Sequence, residues 1–159
     1  MPNMKPEGKQ PDQLEYKFIK DALVDVYDNI LRIEKHELKR SSFQDISASD
    51  IHLIHTIGLH DRKMISAVAR ELHLSKGTLT TNLKTLERKG YVVRIPNQTD
   101  HRVVNLGLTS KGRLLYRAHD AIHQQLVKSF LTNLDEDEVL VIKKALINLE
   151  KFLKELSTN

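Results

Sequence analysis

The 159 residues include no cysteine. Disulfides and thiolate metal sites are therefore excluded, and a reducing cytoplasm is the expected compartment. No apolar run is long enough to span a bilayer, so no membrane partner is expected. The opening "MPNMKPEGKQPDQ" has no apolar h-region and does not read as a secretory signal. Residues 1–10 read instead as a disordered tail. There are no internal repeats. No serine or threonine has an obvious base partner, and no glycine-rich phosphate loop is present, so the usual routes to enzymatic chemistry are missing.

What is present is an uneven charge. The chain carries +4 overall, yet between Arg62 and Arg113 there are 11 Lys/Arg against 3 Asp/Glu. A basic middle with mildly acidic flanks is the footprint of a nucleic-acid-binding segment set in a scaffold. Chance asymmetry would look the same, so charge alone decides nothing.

Apolar periodicity organises the rest. Leu14, Phe18, Leu23, Tyr27, Ile30, Leu31 and Leu38 predict one long helix over 12–38. Ser49 suits the cap of a second helix that carries Ile51, Leu53, Ile54, Ile57 and Leu59, with Gly58 weakening its end. A short helix over 64–73 is followed by "LSKGTLTTNLKTLERKG". There Ser75 suits an N-cap, Leu79, Leu83 and Leu86 form one face, and Gly90 suits the C′ position. Two short helices across a tight turn make a helix-turn-helix. Strands over 91–95 and 102–108 enclose the polar "NQTDHR". A helix capped by Thr109 or Ser110 runs to about 132. In a last helix Val139, Ile142, Leu146, Leu149, Leu153 and Leu156 form a heptad-like seam that needs a partner. The expected class is mainly α with a small β-hairpin wing, a winged helix-turn-helix inserted between dimerisation helices. The expected division is 1–10 tail, 11–60 N-terminal dimerisation helices, 61–109 DNA-binding lobe and 110–159 C-terminal dimerisation helices.

With the leucines of helix 76–89 turned inward, Gly77, Thr81, Lys84 and Arg88 occupy the opposite face, and Lys76, Thr78 and Thr80 flank it. Small, hydroxylated and cationic residues suit a major groove, though a solvated face has the same composition. The hairpin adds Arg94 and Arg102 at the strand ends and Asn97, Asp100 and His101 at the tip. An arginine on a protruding ribbon can enter a minor groove. Asp100 could hold the Arg102 guanidinium by a bidentate bond. His101 alternates to the other side, toward a phosphate contact or plain exposure.

"LERKGYVVRIPNQTDHRVVNLGLTSKGR" resembles the core of the MarR family of winged helix-turn-helix regulators. Leu86, Gly90, Arg94, Asp100, Arg102, Leu108, Thr109 and Gly112 all match the family pattern. The resemblance covers residues 12–156 and implies a homodimer on a pseudo-palindromic double-stranded DNA operator. Within the family, "LRIEKHELKRSSFQDIS", "KGTLTTNLKTLERKGYV" and "LINLEKFLKEL" are similar to the FabT-type repressors of fatty-acid synthesis. That likeness implies a long-chain acyl group on acyl carrier protein as corepressor, with no other cofactor required. A family-like ligand pocket, between the dimer helices and the DNA-binding lobe, would draw on Ile30, Ile33, Phe43, Ile54, Leu59, Leu115 and Ile122. Residue by residue, ordinary core is the simpler reading of these seven.

His119 and His123 are i, i+4 on one helix face, a spacing that can chelate zinc. Zinc-sensing members of the same family add a Glu from the first helix and a His from the second, and Glu34 and His52 stand at matching positions. This chain departs from those sensors in having no cysteine and in having Ile51 where they have an acidic residue. The four residues could bind zinc, form a buried polar cluster, or lie exposed. A zinc-bound water there is the one route left to enzymatic chemistry. A zinc-responsive repressor and a sequence-tolerant structural DNA binder are the alternative functions.

Overall fold

The structure, a computed structural model, describes residues 12–100 and 102–157. The tail expected over 1–10 and the role expected for His101 lie outside the described residues. Helix α1 spans Gln13–Arg40. It opens on a capping box in which Asp12 accepts the Glu15 N–H and Glu15 accepts the Asp12 N–H. Helix α2 spans Ala48–Ile57, capped by Ser47 and Asp50 in the same reciprocal way. Ser47, not Ser49, is the cap, because Asp50 lies three residues after it. Gly58, at φ +88°, ends the helix.

Strand β1, Lys63–Met64, leads into α3, Ile65–Glu71. Helix α4, Lys76–Arg88, follows across a four-residue turn, with the Ser75 hydroxyl accepting the Thr78 N–H. Strands β2, Val92–Pro96, and β3, Val104–Leu108, pair antiparallel with Val92 opposite Leu108 and Pro96 opposite Val104. β1 adds to the other edge of β3, giving the order β1-β3-β2. Two residues cannot display a period, so β1 left no trace in the sequence pattern. Helices α5, Ser110–Phe130, and α6, Glu136–Ser157, complete the chain. Thr109 caps α5, its hydroxyl accepting the Gly112 N–H.

The chain divides into two compact units, one ending at Tyr116 and one starting at Arg117. The first unit holds the core. Ile54 and Ile57 of α2, Val68 of α3, Leu79, Leu83 and Leu86 of α4, and Leu106 of β3 are fully buried together. α2 packs against α3 and β3, so its apolar face is spent inside this unit. In the second unit, the end of α5 and α6 frame an apolar groove lined by Val127, Phe130, Val139, Ile142, Leu146 and Leu149, among others. Four of those come from the heptad-like seam. Among the described residues, no helix is long and apolar enough to cross a membrane.

Candidate nucleic-acid interface

α4 buries Leu79, Leu83 and Leu86 completely, which turns Gly77, Thr81, Lys84 and Arg88 to solvent. Lys76 and Thr78 are also exposed, and Thr80 is half-buried at the edge. Among the described residues, Lys76, Lys84 and Arg88 enter no ion pair. The threonine hydroxyls are engaged. Thr80 donates to the Lys76 carbonyl at 2.7 Å, Thr81 to the Gly77 carbonyl at 3.1 Å, and Thr78 shares a 2.9 Å bond with Ser75. The face therefore offers free cations, threonine methyls and hydroxyl lone pairs. An anionic duplex suits it better than a protein core does.

The wing is built differently from its sequence expectation. Asn97 accepts the Thr99 and Asp100 N–H groups at 2.8 and 3.2 Å, and Asp100 accepts the Arg102 N–H at 3.0 Å. These are Asx turns, side chains standing in for backbone acceptors. Asp100 thus fixes the backbone of Arg102 and not its guanidinium, since the short i, i+2 reach brings the carboxylate to the nearer N–H. Arg102 itself is exposed, with no side-chain partner among the described residues. Arg94 is half-buried, its Nε donating to the Glu87 carboxylate at 2.7 Å. It braces β2 against the end of α4. The sequence could not reveal this pair, because only the turn at Gly90 brings positions 87 and 94 together.

That turn is itself secured by residues of the family pattern. Gly90 takes φ +80°, and its carbonyl accepts the Thr109 hydroxyl at 2.6 Å. A methyl added at Gly112 would overlap the Tyr91 carbonyl oxygen. Beneath it, the Tyr91 hydroxyl donates to Asp45 at 2.7 Å, the Lys89 ammonium donates to the Asp45 carbonyl, and Lys111 sits 4.1 Å from the Tyr91 ring centroid. Burial first, then the Asp45 hydrogen bond, pushes the Tyr91 phenol well above its ordinary range. The same bond, with Lys111 and Lys89, holds the Asp45 carboxyl below its ordinary value despite the opposing effect of burial. Asp45 and Lys111 are structural participants that sequence reading missed, because no local pattern links them.

The seven pocket candidates divide. Phe43, Ile54 and Leu115 belong to the core of the first unit, and Phe43 meets the Tyr91 ring at 6.3 Å between centroids. Ile30, Leu59 and Ile122 are half-buried and Ile33 is exposed. None of the seven lines the apolar groove between α5 and α6. Of the polar four, Glu34 and His119 are buried. His119 and His123 come together with Nε2 atoms 3.1 Å apart. His52 is exposed, because Ile51, Leu53 and Ile54 take the inward side of α2.

The family model for MarR matches residues 46–104, from the loop before α2 to the wing. The regulator SarZ of Staphylococcus haemolyticus is 34% identical over 109 residues, 69% of this chain and 69% of its own length. The chain belongs to the MarR family. FabT of Streptococcus pneumoniae, solved in complex with DNA, is 41% identical, with a TM-score of 0.79 over 89% of this chain and 99% of its own. MarR of Escherichia coli, in its apo form, is 26% identical with a TM-score of 0.58, over 82% of this chain and 95% of its own. This MarR-family protein is thus a DNA-binding transcriptional regulator on a winged helix fold, not an enzyme.

Proposed function

We propose that this MarR-family protein is a homodimeric repressor of fatty-acid-synthesis genes with long-chain acyl-acyl carrier protein as corepressor. The observation that carries the reading is the 41% identity to FabT of S. pneumoniae over nearly the whole of both chains. Resemblance to that branch implies the acyl effector. In this reading the two α4 helices of the dimer enter successive major grooves of a pseudo-palindrome, about 34 Å apart. Lys84 and Arg88 neutralise phosphates, Thr78, Thr80 and Thr81 face base edges, and Arg102 on each wing enters the flanking minor groove. Acyl-acyl carrier protein acts as corepressor by binding the DNA-competent dimer more tightly than the incompetent one. Selection from a random duplex pool, with and without long-chain acyl-acyl carrier protein, tests it. A palindrome enriched strongly only with the acyl protein supports the reading. Enrichment indifferent to it refutes the corepressor, and enrichment without any consensus favours a sequence-tolerant structural binder.

One observation favours a second reading, zinc response. The His119 and His123 Nε2 atoms, 3.1 Å apart, fit two neighbouring nitrogen ligands of one tetrahedral zinc, whose bonds are about 2.0–2.1 Å long. They equally fit one ring donating to the other in a metal-free polar pair. Elemental analysis after zinc soaking separates the two, with one equivalent per protomer expected for a sensor and less than about 0.1 excluding it.

A further inference from the structure

Gly77 is the second residue of α4, on its exposed face. Glycine is a weak helix former, and alanine would serve better wherever there is room for a methyl. There is room. A Cβ at Gly77 would meet only the Ser75 hydroxyl, at an ordinary 3.9 Å. Its φ is not among the positive values that call for glycine, in contrast to Gly58 and Gly90. No steric contact and no backbone conformation of the described protein requires glycine at this exposed position. One turn on, Thr81 stands over the same spot, fully on the outward face. Its one hydroxyl proton is committed to the Gly77 carbonyl at 3.1 Å. A hydroxyl so engaged cannot donate to a guanine acceptor. It presents a methyl group and a lone pair.

We infer that Gly77 and Thr81 form a shallow notch on α4 that takes the C5-methyl group of a thymine in the major groove. The absent Cβ lets the helix approach closely, and the Thr81 methyl makes the apolar contact. Thymine is the base that carries a methyl there, and the adenine N6 amino group beside it can donate to the Thr81 lone pair. Lys84 and Arg88, on the same face without ion pairs among the described residues, supply attraction to phosphate but no such discrimination. The inference rests on α4 being the recognition helix, and it names what part of that helix reads.

Thymine-to-deoxyuridine scanning of the selected operator tests the notch, since it deletes one methyl at a time. With the wild-type protein, at least one position per half-site should lose about fourfold in affinity, the factor for burying one methyl-sized group. 5-Bromodeoxyuridine, similar in bulk to thymine, should restore it. Thr81→Val keeps the methyl and should keep the thymine preference, whereas Thr81→Ser should bind thymine and deoxyuridine operators alike. Gly77→Ala should raise the thermal midpoint of the free protein while weakening operator binding. Equal affinity for every deoxyuridine operator, or a preference that survives in Thr81→Ser and vanishes in Thr81→Val, would overturn the notch and leave the regulator reading standing. Failure of the wild type to bind any selected duplex would overturn both.

Discussion

At the scale of single residues, the wing depends on a carboxylate acting on backbone. Asp100 accepts the Arg102 N–H, and an amide oxygen can do the same. Asp100→Asn should therefore bind operator within about twofold of wild type, while Asp100→Ala weakens it by up to about tenfold, the upper range for removal of one hydrogen bond. A fluorescence titration of labelled operator checks both. A guanidinium clamp would predict that Asn fails nearly as badly as Ala. Tyr91 is the other residue with a distinctive signature. Its folded pKa is raised, so its contribution to stability is complete below about pH 10, the ordinary tyrosine value, and is lost as pH rises beyond it. Tyr91→Phe should lower stability at neutral pH by about 1 kcal/mol, the net value of a hydrogen bond. It should also flatten the alkaline decline in stability that urea unfolding would show from about pH 10 upward. Asp45 works in the opposite sense. Its folded pKa is lowered, so its contribution is present above about pH 3.8 and fades as pH falls below that.

At the scale of elements, the two wing arginines divide their labour. Arg94 is tied to Glu87 between β2 and α4, and Arg102 is free at the tip among the described residues. Arg102→Ala should leave the urea midpoint unchanged and weaken binding to all sequences. It should also reduce the salt slope by about 0.9 for each phosphate that is no longer neutralised. Arg94→Ala should lower both stability and affinity, and its stability loss should be non-additive with Glu87→Ala, with a coupling of about 0.5–1 kcal/mol. Parallel unfolding and operator titrations distinguish the pair. The helices and the hairpin were legible in the sequence because long apolar periods and caps are local signals. Leu79, Leu83 and Leu86 all turned inward as their spacing required. The Ser75 cap and the left-handed Gly90 also follow from local chemistry. What could not be read was tertiary. The Arg94–Glu87 brace, the Tyr91–Asp45 bond spanning 46 residues, and the two-residue β1 exist only once the chain has folded. Phe43, Ile54 and Leu115 lie in the core, the simpler of their two readings, because an apolar residue alone does not say whether its far side meets protein or ligand.

At the scale of the whole molecule, apolar surface remains uncovered. Leu14, Phe18 and Tyr27 on α1 and Leu140, Val141 and Leu153 on α6 are all more than half exposed. Surfaces of this kind mark sites of association. The homodimer proposed above would cover them. Leu153→Glu should then give a monomer by sedimentation, with operator affinity reduced at least about a hundredfold, because a single module binding a half-site loses the avidity of two. A dimer that persists and binds normally would place the interface elsewhere.

Of these, the dependence of operator affinity on acyl-acyl carrier protein bears most directly on the proposed function. The measurement is the dissociation constant of the wild-type dimer for its selected operator, at one fixed salt concentration, with and without saturating long-chain acyl-acyl carrier protein. The expected result is at least about fivefold tighter binding with the acyl protein, the lower end of ordinary allosteric coupling, and no change with the unacylated carrier. Equal affinity in all three conditions, or weaker binding with the acyl form, would contradict it.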